Sequence, residues 1–346
     1  MERCMGIDIG YGFVKITDGQ DGYVFPSVVG EGTADAVPRM GLQAPARTDD
    51  LRIVVDGRPY NVGNLAIRHS RLAARGLSAT RVEGNNFKVL FLAALSLFCN
   101  QPLNSFAVVT GLPPGRMHLV EELTRQIRGE HRILRLTAQG PEECTIRVDR
   151  VTVVPQPLGT YWSQVLDARG KVREDSRMLQ GAIGIIDIGF RTSDLVSVVD
   201  GEYVHEQSRT IPTGLVTAYE EIAAALLAQH GVERETYALD EAVIRGEIHL
   251  AGRRVDITAL RDRAFEQLAT KLLVELQSSW QVSEFDVVLL SGGGSHFLAR
   301  YLQPHLAQAV VPNDPGTANS RGFLAWAGRL FNPVPAAWTE QRPTTA

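Results

Sequence analysis

The sequence predicts an α/β fold made of two similar halves facing a common cleft, and three glycine-bearing turns predict it. The first turn is Gly6-Ile7-Asp8-Ile9-Gly10-Tyr11-Gly12. The second, Gly184-Ile185-Ile186-Asp187-Ile188-Gly189-Phe190-Arg191-Thr192-Ser193-Asp194, repeats the order of apolar residues, Asp, one apolar residue and Gly. The third, Leu289-Leu290-Ser291-Gly292-Gly293-Gly294-Ser295, ends another apolar run. Glycine turns let backbone N–H groups approach an anion. Two of them in one pattern, with a glycine triplet downstream, read as a duplicated phosphate clamp with a nucleotide between its halves.

Each element follows from local pattern. Residues 5–9 read as a buried strand and 12–17 as its hairpin partner, with residues 18–22 turning into a further strand at 23–29. Residues 31–50 are rich in Gly, Pro, Ala and charge, which predicts a mobile surface loop. Strands at 52–55 and 59–62 flank Asp56-Gly57, a hairpin signal. An apolar helix is expected at 87–99, a strand at 106–111 ending in Gly-Leu-Pro-Pro-Gly, and an amphipathic helix at 119–128. The alternating run 147–154 enters Val154-Pro155-Gln156-Pro157, and a helix follows at 159–166. The charged stretch 171–180 is expected to be exposed.

The second half restarts with a strand at 182–188, paired with 195–199 and, across Asp200-Gly201, with 202–207. Helices are expected at 216–229, 261–279, 296–306 and 320–330, and a strand at 286–290 feeds the glycine triplet. The last helix is expected to pack back onto the first half, and the tail from Asn332 to be disordered. The resulting division is residues 1–158 plus 320–346 as one domain and 159–319 as the other.

Composition excludes several classes. With 35 Lys and Arg against 39 Asp and Glu, the net charge of -4 gives no basic excess for direct nucleic-acid binding. Three cysteines, Cys4, Cys99 and Cys144, form no CxxC pair and argue against a disulfide framework. No apolar run approaches the ~18 residues that span a bilayer, and residues 1–3 lead directly into a strand with no signal segment, so the reading is cytoplasmic. The histidines show no HxxxH spacing for zinc. No GxxxxGK[ST] or opening GxGxxG occurs, which excludes a P-loop and disfavours a dinucleotide fold. Arg68, His69, Arg71, Arg75 and Arg81 make a basic stretch: a solvated helix face, or a contact with a neighbouring subunit, DNA or an adaptor.

Asp8 beside an anion-binding turn would repel phosphate unless a Mg²⁺ shell lay between them. Lys15 is placed to neutralise phosphate, and Thr192 and Asp194 add a hydroxyl and a second carboxylate near the second turn. Taken singly, each Asp-x-Gly turn also reads as a plain hairpin whose Asp caps its own backbone. The repetition favours the clamp.

Together the three elements resemble the actin-like ATPase superfamily, which also contains chaperone ATPase domains and sugar kinases. The first two turns look most like the plasmid-segregation actin-like proteins (the ParM/StbA family), and Ala318-Asn319-Ser320-Arg321-Gly322-Phe323 is similar to the closing segment of bacterial and archaeal actin-like proteins. The resemblance implies two duplicated ribonuclease-H-like domains around Mg-ATP, with GTP as the other candidate. It implies that Asp8 and Asp187 organise Mg²⁺ through water. Gly10, Tyr11, Gly12, Lys15, Gly189, Phe190, Arg191 and Thr192 would line the phosphates, and Gly292, Gly293 and Gly294 would border the adenosine. Gly214 and Glu220 would lie on the ribose and base side. Gln156 falls where the family positions the attacking water. Several plasmid-segregation relatives carry Glu there. A Gln orients water but is a poor base, so Gln156 and Asp194 both stay open as the catalytic group beside Asp187.

The function expected is an ATP-hydrolysing, head-to-tail filament that segregates plasmid DNA through a DNA-binding adaptor. Three rivals share the superfamily. A small-molecule kinase needs a catalytic Asp facing a sugar pocket, a chaperone ATPase needs a substrate domain, and a regulator binds nucleotide without polymerising.

Overall fold

The computed structural model describes residues 2–32, 47–69, 74–75, 85–137, 140–174, 176–250 and 252–332. Most of the expected surface loop (33–46), Arg71 and Arg81 of the basic stretch, and the tail past Asn332 lie outside the described residues.

The first half builds one ten-stranded sheet. β1 (Arg3–Ile9), β2 (Phe13–Thr17) and β3 (Gly22–Pro26) form an antiparallel meander. β4 (Val28–Glu31), β5 (Leu51–Val55) and β6 (Arg58–Val62) follow, then helix α1 (Asn64–His69) and the two-residue β7 (Ala74–Arg75). The β5–β6 hairpin turns at Asp56-Gly57, both at positive φ (50° and 75°), as the Asp-Gly signal predicts. α2 (Asn86–Ser96) is buried along nearly its whole length, which suits a helix apolar on every face. β8 (Leu103–Leu112) runs parallel to β1. α3 (Val120–Ile127) buries only Leu123 and Ile127, four residues apart on one face. β9 (Gly129–Thr137) and β10 (Gly140–Pro155) then form a hairpin, with β10 parallel to β8.

Helix α4 (Leu158–Val165) leads to the second half. Its five-stranded sheet contains β11 (Ala182–Ile188), β12 (Ser193–Val199) and β13 (Glu202–Ile211) as an antiparallel meander. Helices α5 (Leu215–His230) and α6 (Asp240–Arg245), the hairpin β14 (Glu247–Leu250) and β15 (Arg253–Asp256), and α7 (Thr258–Ser279) come next. β16 (Val287–Ser291), α8 (Ser295–Leu302), β17 (Ala309–Val310) and α9 (Ala318–Phe331) complete the chain. The strand order β13-β12-β11-β16-β17 repeats β3-β2-β1-β8-β10, with two antiparallel pairings followed by two parallel ones. The duplication seen in the turns is therefore a duplication of whole sheets.

The strand expected at 23–29 is broken. Pro26 has no N–H for a ladder, and the Ser27 N–H donates instead to the Gly12 carbonyl at 2.9 Å. β3 stays in the meander, while β4 turns away to pair with β6 and β7. β9, α6 and the β14–β15 hairpin were not expected. They are short or charged, and β9 satisfies its charges across the strand pair through Arg135 and Glu142.

α9 packs on β1 and β8, as expected of the closing helix, and also crosses α4. The crossing is close because it is made of small residues: a Cβ on Gly159 would stand 2.5 Å from the Asn319 carbonyl, and one on Gly322 would overlap the Gly159 carbonyl. Trp162 stacks on Trp326 at 4.3 Å beside it. The surrounding core draws Val109 from the first sheet and Ile185, Val196 and Leu289 from the second.

Candidate nucleotide-binding site

Between the sheets lies a cleft of about 450 Å³, within the usual size of a small-ligand site. The two Asp hairpins enter it in equivalent registers. In the first, Asp8 pairs with Lys15, and in the second, Asp187 pairs with Asp194. Each turn closes in the same way: Gly10 N–H donates to Phe13 O at 3.0 Å, and Gly189 N–H to Thr192 O at 2.9 Å. The turns meet, since a Cβ on Gly12 would lie 3.0 Å from Phe190 Cβ.

Asp8 sits behind the cleft wall. Lys15 Nζ is 3.0 Å from its Oδ2, and Gln156 Nε2 donates to its Oδ1 at 2.6 Å. Lys15 and Gln156 themselves line the cleft. Asp187 accepts a 2.6 Å hydrogen bond from Asn319 Nδ2, while Asn319 Oδ1 accepts from the Thr160 N–H and hydroxyl. Burial, then the Asp8 charge, push Asp187 up to about 6 against the pull of Asn319. Burial pushes Asp194 up to about 8, although Thr210 Oγ1 donates to it at 2.6 Å.

These carboxylates test the implied Mg²⁺. Among the described residues no three His, Cys, Asp or Glu side chains cluster to hold a metal alone. Asp187 and Asp194 are buried near one another with both carboxyls raised, and the Asp8 charge adds to the push on Asp187, an arrangement that a hydrated cation among the three would relieve. The donor set fits Mg²⁺ carried on a phosphate ligand.

The glycine triplet divides its work. Gly292 has φ +81°, and a Cβ there would overlap the Asp187 carboxylate. A Cβ on Gly294 would overlap the Ile188 side chain, whereas Gly293 faces open space. All three line the cleft, as do Gly10, Tyr11, Gly12, Gly189, Phe190, Thr192 and Asp194.

Three of the expected residues fall elsewhere. Arg191 is not in the lining, and its guanidinium stands 6.0 Å from the Tyr11 ring centroid. Gly214 and Glu220, expected on the ribose and base side, are also outside the cleft lining. Gly214 lets the start of α5 lie on the second turn: a Cβ there would be 2.8 Å from the Gly189 carbonyl, and the next residue's N–H donates to that same oxygen at 3.1 Å. Glu220 points outward from α5. Its neighbour Tyr219, with Asp240 and Ile244 of α6 and His296 and Phe297 of α8, forms that side of the cleft.

Sequence reasoning also missed Ser27, Arg116, Thr210 and the role of Asn319. Ser27 is fully buried and donates its hydroxyl to Gly10 O at 2.6 Å, tying the first turn to the β3–β4 break. Asn319 lay within a quoted motif, and its short polar side chain amid Ala, Ser and Gly was the available signal.

Residues 6–159 match the family model "Actin like proteins N terminal domain", and residues 185–304 match "Archaeal actin homologue MreB-like, C-terminal". Among solved structures, a ParM from Clostridium botulinum, described in a 15-stranded filament, is 22% identical with a TM-score of 0.80, covering 95% of this chain and 100% of that one. The archaeal actin homologue Ta0583, in complex with ADP, is 18% identical with a TM-score of 0.76, covering 95% and 100%. The actin-like protein Alp7A is 17% identical with a TM-score of 0.75, covering 94% and 95%. No curated protein matches the chain.

Proposed function

Given that this chain belongs to the actin-like ATPase superfamily, we propose that it is a nucleotide-driven, filament-forming protein that hydrolyses ATP as it assembles and positions DNA through an adaptor. The observation that carries this reading is the pairing of two equivalent Asp hairpins on one cleft. The same ligand held by both turns would draw the two sheets together, so loss of its terminal phosphate would change their angle. Residues 1–158 with 320–346 are taken as one lobe and 159–319 as the other. Head-to-tail stacking that does not close into a ring would yield a filament whose fit depends on that angle. The ParM filament supports the stacking, and the ADP complex of Ta0583 supports the ligand class.

Within the cleft, the backbone of the two turns would cradle phosphates, and Lys15 would offset their charge. Mg²⁺, held through water by Asp8 and Asp187, would supply charge neutralisation at the phosphates. Gln156, fixed by its bond to Asp8, keeps its amide oxygen to orient a water. Asp194, raised to about 8, holds its proton at neutral pH in the nucleotide-free protein and in that state cannot take one from a water. Among the described residues no helix is long and apolar enough to cross a membrane, which suits assembly in the cytoplasm.

Right-angle light scattering on adding Mg-ATP, followed by negative-stain imaging, tests the proposal. A nucleotide-dependent rise with filaments is the expected result. A flat trace at high protein concentration, with ATP binding confirmed, would replace it with the non-polymerising regulator. A phosphorylated small molecule in the same reaction would replace it with a kinase.

A further inference from the structure

The duplicated hairpins leave one cation of the cleft unexplained. Arg116 follows β8 in the turn Gly111-Leu112-Pro113-Pro114-Gly115 and lines the cleft. Its backbone is fixed, because its N–H donates to the Pro113 carbonyl at 2.8 Å. The preceding N–H, that of Gly115, donates to Thr210 Oγ1 at 3.1 Å, and Thr210 in turn donates to Asp194. The Arg116 guanidinium carbon stands 5.5 Å from the Tyr11 ring centroid, and its charge reaches Asp194. Arg116 is therefore at the end of the cleft where the two Asp hairpins meet.

Lys15, the other Lys or Arg in the lining, is paired with Asp8, so much of its charge is offset within the protein. Arg116 makes no ion pair within 4.0 Å with any described residue. Arg191 stands against the same Tyr11 ring. Both guanidiniums add positive charge around Tyr11, and that charge favours an anion at this end of the cleft. The planar fork of a guanidinium matches phosphate oxygens in a way that an ammonium does not.

We infer that Arg116 is a phosphate-sensing cation supplied in cis, which leaves the face of Tyr11 to contact the terminal phosphate of a bound nucleoside triphosphate. The inference rests on the nucleotide reading above. It makes Arg116 the group that distinguishes triphosphate from diphosphate. Because Gly115 and Thr210 tie its loop to Asp194, the contact would also be felt by the second hairpin.

The test is equilibrium titration of the full chain with Mg-ATP and with Mg-ADP, using wild type, Arg116→Ala and Arg116→Lys, with thermal unfolding confirming that each is folded. Losing a charge-assisted contact predicts ATP binding weaker by about 10- to 100-fold in Arg116→Ala, with ADP binding changed by less than about twofold. Arg116→Lys should recover only part of the ATP affinity, and it carries the same test if the Ala variant does not fold. Wild type should also trap ADP with aluminium fluoride, and Arg116→Ala should not. An ATP-to-ADP affinity ratio equal to wild type, or equal loss of both ligands, would overturn the assignment while leaving the nucleotide reading intact. A folded wild type that binds neither nucleotide would overturn both.

Discussion

Two side chains at the bottom of the cleft are constrained enough to predict. Gln156 spends its Nε2 on Asp8 and has its amide oxygen left for a water. Gln156→Ala should retain nucleotide binding and slow phosphate release by about 100-fold, the lower range for a lost water-orienting group. Unchanged release, followed with a phosphate sensor, would remove Gln156 from the mechanism. Asp194 offers a test through pH. Its folded-state pKa of about 8 lies above the ordinary 3.8, so the folded protein holds a proton that the unfolded chain releases. The stabilisation is complete below the unfolded value and is lost as pH rises to about 8, and Asp187 contributes in the same sense up to about 6. Nucleotide-free protein should therefore be more resistant to urea near about pH 5 than near about pH 8.5. Asp194→Asn keeps an acceptor for Thr210 but cannot ionise, so it should flatten the upper part of that slope. An equally steep loss in the variant would show that the slope comes from other groups.

At the scale of elements, the crossing of α4 and α9 is the contact least tolerant of change. Gly159 and Gly322 face each other with no room for a methyl group, and the Trp162–Trp326 stack fixes the helices beside them. Gly322→Ala should destabilise by about 1–3 kcal/mol, the usual cost of overpacking, despite the better helix propensity of Ala. Wild-type stability in a urea melt would mean that the helices separate freely. The Gly322 position was legible only as part of a resemblance. The hairpins were legible for a better reason: Asp8-Ile9-Gly10 and Asp187-Ile188-Gly189 carry their geometry in consecutive residues, as do Asp56-Gly57 and Asp200-Gly201. Asn319, Thr210 and Ser27 carry no such local signal. Asn319 reaches Asp187 across 132 residues, and Gly115 reaches Thr210 across 95. Periodicity says nothing about partners that only the closed fold brings together. Glu220 is exposed on α5, and helical phase places its neighbour Tyr219 in the cleft lining instead.

For the whole molecule, the question is what couples the cleft to the angle between the sheets. On one side, α4, α9 and β11 are held together by Thr160, Asn319 and Asp187. On the other, the loop after β8 reaches β13 through Gly115 and Thr210, which also binds Asp194. The first joint is buried in small-residue packing and suits a pivot. The second is a single backbone-to-hydroxyl bond in an exposed setting, and suits a latch that opens and closes. Thr210→Val keeps the shape of the side chain and removes both bonds. With about 1 kcal/mol lost for the Gly115 bond that joins the halves, the nucleotide-free variant should open more often, and amides of 115–119 should exchange roughly fivefold faster. Saturating Mg-ATP, which would bridge both hairpins by another route, should restore most of the protection. Exchange in 115–119 that matches wild type without nucleotide would mean that Gly115–Thr210 does not hold the halves. Faster exchange that nucleotide fails to suppress would mean that the ligand does not draw them together.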